Sequence, residues 1–257
     1  MRKHLFTRTA GQRGLTFALA AAGTGLFWLL GLPLPFLFGP MTFCLAGALA
    51  HVPLRGFGQV SVAARTILGV AVGASITPAV IAELPRMAAS VALIPLFIAA
   101  IALIGVPFFR RLWGFDGPTA YYAAMPGGLQ DMVIFGTEAG ANPRVLSLVH
   151  ATRVLIIVTL APFILGHFYG APLTNPIGSP VADLPWHELL IMVAAAWIGW
   201  KGGERIGLFG ASILGPMIVT ATLSLSGVIH FRPPAEAILA AQFFIGCGIG
   251  VHFLGVT

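Results

Sequence analysis

The sequence predicts an all-α polytopic integral membrane protein with about eight membrane helices, a broken or re-entrant Pro-Gly-Gly segment and inverted internal repeats. Three observations predict it. Hydrophobic residues make up 58% of the 257 and charged residues 9%, with a mean hydropathy of +0.94, too little polar surface to cover a water-soluble globule of this length. Gly39-Pro40-Met41 returns as Gly215-Pro216-Met217, each time inside an apolar run. Gly31 and Leu32 fall on Gly207 and Leu208 at the same offset, and after one inserted residue Arg55, Ala64, Gly69 and Gly73 fall on Arg232, Ala241, Gly246 and Gly250. The cations behind the net charge of +6 are spread singly or in pairs between apolar runs, the pattern of topology-setting loops rather than of a polyanion footprint.

Apolar runs bounded by Pro, Gly or charge lie at 14–32, 35–51, 59–77, 88–109, 145–166, 187–200, 207–229 and 236–254. Arg2, Lys3, Arg8 and Arg13 precede the first run, which continues through Trp28 to Leu32 and is longer than a signal-peptide core. It reads as an uncleaved first helix with a cytoplasmic N-terminus. Several later runs are short and carry Gly-Pro or Gly-x-x-x-Gly, as helices do that pack closely on neighbours and need not each cross the bilayer alone. Cys44 and Cys247 sit inside apolar runs, so neither a disulfide framework nor a Cys-x-x-Cys metal site is available, and both read as small packing residues.

Tyr121 to Met132 differs from the other runs, with Pro126-Gly127-Gly128 and Asp131 between apolar flanks. Pro removes an amide donor and Gly-Gly loosens the backbone, so two half-helices or a re-entrant loop are expected, which lipid forbids unless protein or a water-filled cavity surrounds them. The N-terminal cluster, Arg55, Arg110 with Arg111, Arg144, and Lys201 with Arg205 then read as cytoplasmic, while 167–187, without Lys or Arg, reads as external. Arg86 and Arg232 fall outside on this scheme, near Glu83 and Glu236 respectively. The expected domains are a first membrane repeat over 1–166, an external Pro/Gly-rich connection over 167–186 and an incomplete second repeat over 187–257. With the Pro126 region re-entrant, the first repeat crosses an odd number of times and the second starts from the opposite side.

Leu30-Gly31-Leu32-Pro33, Phe38-Gly39-Pro40-Met41, Ala124-Met125-Pro126-Gly127-Gly128 and Val149-His150-Ala151-Thr152-Arg153-Val154 together resemble the AbrB-type duplicated membrane protein family, over nearly the whole chain. Members of that family carry the labels ammonia monooxygenase and regulator of gene expression. Two departures matter. The family's Ala-Gln before the Gly-x-x-x-Gly helix is kept as Ala241-Gln242 but becomes Ala64-Arg65 in the first repeat. The second repeat stops at Thr257, so that relative to a full duplication roughly ninety residues are absent. A mechanism needing two Pro-Gly-Gly breaks would then take the second from a partner chain, which makes a homo-oligomer an expected partner.

The candidate substrate-binding residues are Pro126, Gly127, Gly128, Gln130, Asp131, His150 and Arg153. Asp131 follows the break, and an ionisable group at membrane depth usually faces an aqueous path; the alternative is that it caps a half-helix near the headgroups. His150 and Arg153 are three apart on one helical face, to meet Asp131 or an anionic solute, or else to reach the headgroups. Gly39-Pro40-Met41 and Gly215-Pro216-Met217 read as close packing or as paired helix breaks lining a cavity, packing being the better-supported reading. Gly69 with Gly73 and Gly246 with Gly250 read as packing faces.

The oxygenase label needs several His or carboxylate ligands at one point, and no helical pair of them is present: the seven His are scattered, mostly at segment ends. No enzyme activity and no cofactor or metal is therefore expected. The 167–184 gap is almost uncharged and cannot read DNA, so no nucleic-acid partner is expected and regulation would be indirect. The expectation is a bacterial inner-membrane secondary transporter or exporter, with the lipid bilayer and a small solute, anionic if it meets Arg153, as partners. A membrane-embedded sensor acting indirectly on gene expression is the alternative.

Overall fold

The structure, a computed structural model, describes residues 2–32, 34–170, 178–251 and 253–254; the side chains of 2–8, 129–131, 134, 155, 158, 159, 162, 163 and 169 lie outside the description. Among the described residues it is all-α: α1 Arg2–Leu29, α2 Pro35–Leu49, α3 Gln59–Gly73, α4 Pro78–Ala92, α5 Ile94–Leu112, α6 Gly117–Ala124, α7 Leu129–Glu138, α8 Pro143–Tyr169, α9 Trp186–Arg205, α10 Ala211–Leu225 and α11 Ala235–Val251, with a 3-10 turn at Val181–Asp183. Each apolar run of the sequence becomes a helix, except 88–109, which is divided between α4 and α5 at Leu93. The helix α1 extends back through the basic N-terminus, where Arg, Lys and Gln sustain a helix and no Pro stops it. The sequence treats 78–87 as a gap because of Glu83, Pro85 and Arg86, yet α4 runs through it; Glu83 and Arg86, one helical turn apart, pair at 3.2 Å.

By length and composition, one described helical stretch, Pro78–Leu112, is long and apolar enough to cross a membrane. The apolar helices α2, α3 and α10 have 15 residues and α11 has 17, short of the ~20 that a hydrocarbon core requires.

The chain divides into two compact units, Met1–Ala82 with Leu165–Gly255, and Glu83–Ile164. In the first, glycines set the packing. Gly23 lies against Gly39 and Gly47 against Leu19, so α1 and α2 run antiparallel; Gly199 against Gly215 and Gly203 against Ala211 do the same for α9 and α10. Each half then lends its third helix to the other. Gly69 faces Ile213 and Pro216, and Gly73 faces Met217 and Thr220, so α3 runs parallel to α10. Gly246 faces Leu37 and Pro40, and Gly250 faces Met41 and Cys44, so α11 runs parallel to α2 in the same arrangement. Near the start of α3, Ser61 Oγ donates to the Phe244 carbonyl at 3.4 Å, while further along Ile67 and Val70 share a cavity with Ala237, so α3 and α11 are antiparallel. Taken round the set, each helix of α1–α2–α3 runs opposite to its counterpart in α9–α10–α11. The loops after α2 and α10 are tied back alike: Thr16 Oγ1 accepts from the Arg55 amide at 3.0 Å, and the buried Glu188 carboxylate accepts from the His230 and Phe231 amides at 3.1 and 3.2 Å.

In the second unit, Ala123, Ala141 and Leu146 form the core, with Phe109, Phe115, Tyr122, Val133 and Val149 packed against it. Gly105 lets α5 approach Ala124 of α6, and Gly136 of α7 faces Leu146 and Tyr122.

Candidate functional site at the interrupted helix

Two caps position the site. Asp116 precedes α6 and its Oδ2 accepts from the Thr119 amide at 3.2 Å, with Pro118 inside the first turn; Asn142 precedes Pro143, and its Oδ1 accepts from the Arg144 and Val145 amides at 3.0 and 3.3 Å. The Thr119 hydroxyl in turn accepts from the Asn142 amide at 2.8 Å, joining the start of α6 to the start of α8.

At its far end α6 stops at Ala124. Met125 and Gly128 are extended, and α7 resumes at Leu129, giving two half-helices around Pro126 and Gly127. A helix that stops leaves its last carbonyls without amide donors. The helix α8 supplies them. Arg153 Nη1 donates to the Met125 carbonyl at 2.9 Å and Nη2 to the Gly127 carbonyl at 3.1 Å, while Nη2 also lies 2.7 Å from His150 Nδ1. The other ring nitrogen, His150 Nε2, is 3.0 Å from the Tyr122 carbonyl. A carbonyl can only accept and a guanidinium can only donate, so His150 carries its proton on Nε2 and receives Arg153 on Nδ1. The imidazole is 0% exposed and fully committed; the guanidinium is only partly covered.

Beside this network a cavity of about 440 Å³ opens between α5, α6 and α8, lined by Phe109, Ala123, Ala124, Val149, Thr152 and Arg153 among others. Among the described residues, Arg153 is its one ionisable lining group. Its volume is in the range of small-molecule pockets, ~300–1,000 Å³.

Of the residues singled out in the sequence, the structure brings Gly127, His150 and Arg153 together and places Pro126 and Gly128 in the same exposed connection. Gln130 and Asp131 fall in the first turn of α7, but their side chains lie outside the described residues. Gly39, Pro40 and Met41, and Gly215 and Pro216, are buried in the other compact unit, where α2 and α10 continue as helices through their prolines. Sequence reasoning missed the Tyr122 and Met125 carbonyls as partners and Glu188 as a loop anchor. The signal for the carbonyls was present: a Pro-Gly-Gly break implies orphaned acceptors, and the only Arg among the candidates is the natural donor. Among the described residues no three His, Cys, Asp or Glu side chains converge.

The comparisons with known proteins follow the same lines. The chain is 26% identical over 268 residues to "Uncharacterized protein YhjN" of Bacillus subtilis (strain 168), covering 93% of this chain and 70% of the relative. It is 25% identical over 231 residues to "Putative regulator AbrB" of Escherichia coli (strain K12), covering 86% of this chain and 64% of the relative. No solved structure matches. The family described as "Transition state regulatory protein AbrB" matches residues 11–257, and the chain belongs to that AbrB family.

Proposed function

We propose that the chain is a multi-pass bacterial inner-membrane protein, N-terminus cytoplasmic, that acts as a secondary transporter of a small anionic solute and not as an enzyme. One observation carries this reading: a helix interrupted at Pro126 and Gly127, whose freed carbonyls are held by Arg153 beside a 440 Å³ cavity. Interrupted helices inside a bilayer require protein or a cavity around them, and carriers place their sites at such breaks. The opposed triplets α1–α2–α3 and α9–α10–α11 support it as inverted-topology repeats. So do the many large apolar side chains exposed on α5, Leu103 at 77% and Ile104 at 73%, which lipid would cover. On this reading about eight helices cross, the short ones in a bundle that needs no single helix to span alone. Uptake into proteoliposomes across a panel of small organic anions tests it. Transport lost in Arg153→Lys supports the reading; no transport of any panel member, or an Asp131→Asn and Arg153→Lys protein as active as the parent, removes it.

The printed names of the family and of the Escherichia coli relative favour a second reading, a membrane-embedded regulator acting through a partner. It expects transcript changes on deletion that no added metabolite relieves, and a protein that co-purifies with the chain.

A further inference from the structure

The two halves of the unit built from Met1–Ala82 and Leu165–Gly255 fill one equivalent space differently. Where α1 meets α11, Phe17 lies 5.4 Å from Phe243, Phe57 lies 5.2 Å from Phe244, and the rings of Phe243 and Phe244 are 5.5 Å apart. At the repeat's offset those positions correspond to Val193, Thr66, Pro234 and Ile67, around the contact of α9 with α3. Every ring is replaced by a smaller side chain. A cavity of about 340 Å³ lies there, where α9 meets α3, lined by Ile67, Val70, Met192, Val193, Ala196 and Pro234 among other apolar residues.

We propose that this cavity is a binding site for a small aromatic molecule, its ring seated where the equivalent contact of α1 with α11 places phenylalanines. The helix pairs around the two spaces are equivalent, so the contact of α1 with α11 displays what that space accepts: flat phenyl rings, tilted or edge to face. An enclosed apolar cavity of about 150 Å³ takes up benzene; this one is larger and opens to the surface, which gives a ligand a way in. Among the described residues this cavity holds no ionisable lining group to demand a charged ligand. Met192 adds a polarizable sulfur, which favours an aromatic ring over an alkyl chain. The proposal concerns a site distinct from the Arg153 network and does not depend on transport.

The full chain in lipid nanodiscs is irradiated with a trifluoromethyl phenyldiazirine, and adducts are mapped by mass spectrometry. Adducts at Met192 and Val193 that saturate, that toluene displaces and heptane does not, and that vanish in Ile67→Phe/Val193→Phe are expected. Adducts on Leu103 and Ile104, on α5, report the exposed apolar surface and remain. Labelling at Met192 and Val193 that never saturates, that heptane displaces as well as toluene, or that is absent, overturns the proposal, the heptane result assigning the cavity to lipid acyl chains. Should the double variant not fold, the toluene and heptane competition on the parent chain decides.

Discussion

Leu34 and Gly210 occupy the same place in the two halves, each preceding the Gly-Pro-Met helix, and both adopt the left-handed backbone conformation, with φ of 47° and 59°. Only one of them does so without a Cβ. A side chain in that conformation costs about 1–2 kcal/mol, of which the extra unfolded-state entropy of Gly returns a part. Leu34→Gly is therefore expected to stabilise the protein by up to about 1 kcal/mol, read as a rise in Tm. His51, at φ 59°, corresponds to Gly227 at φ 73°, and His51→Gly is expected to act in the same direction. A fall in Tm for both contradicts the conformations.

Gly39 and Gly215 press on the backbones of Gly23 and Gly199, leaving no space for a methyl group. Gly39→Ala and Gly215→Ala should each destabilise by about 1–3 kcal/mol as the helix pairs are forced apart. Gly25 has nothing within 4 Å of where a Cβ would stand. Gly25→Ala is the control, neutral or stabilising by up to ~1 kcal/mol in the same unfolding assay.

Arg153 acts through a planar fork that reaches two carbonyls and His150 at once. A lysine ammonium has no such fork. Arg153→Lys is expected to lose about 2 kcal/mol through the unmet carbonyls and to speed hydrogen exchange in α6 and α7, with unchanged exchange in α1 and α2. Uniform exchange rates across variant and parent would show that the fork holds nothing in place.

Asp116, in the connection before α6, has its carboxyl held below the ordinary aspartate range by hydrogen bonds from Thr119, the hydroxyl first and the amide second. A depressed folded-state value means the ionised cap adds stability above the unfolded-state value of about 3.9, and that contribution is lost as pH falls through the lower folded-state value. Protection of the Thr119 amide should therefore decline on acidification below about pH 4 and become independent of pH in Asp116→Asn. Equal pH dependence in the two proteins rules out the cap.

The apolar runs announced the helices because a long unbroken hydrophobic stretch has few other solutions, and Pro126-Gly127-Gly128 announced the interruption because its chemistry forbids a continuous ladder of amides. The duplication was equally plain from Gly39-Pro40-Met41 and Gly215-Pro216-Met217. The exchange of α3 and α11 between halves was not, since Gly69 carries no mark of whether its neighbour is Leu37 or Ile213. Arg153 was found as a residue but not as a cap: a lone cation on an apolar helix satisfies an anion, a headgroup or a carbonyl equally well on paper, and only the placement of Met125 and Gly127 chooses. The helix α4 was passed over because Pro85 and two charges outweighed its remaining apolar residues, although a proline within a helix is tolerated when the surrounding turns hold.

Because α3 seats its glycines on α10, and α11 on α2, neither triplet possesses its finished binding grooves by itself. During synthesis Gly69 and Gly73 must wait, uncovered, until α10 has left the ribosome before Ile213 and Met217 arrive to meet them. Completion of this unit is thus a late event, and two separately expressed fragments severed within 170–180 should be inert alone and regain form only when mixed.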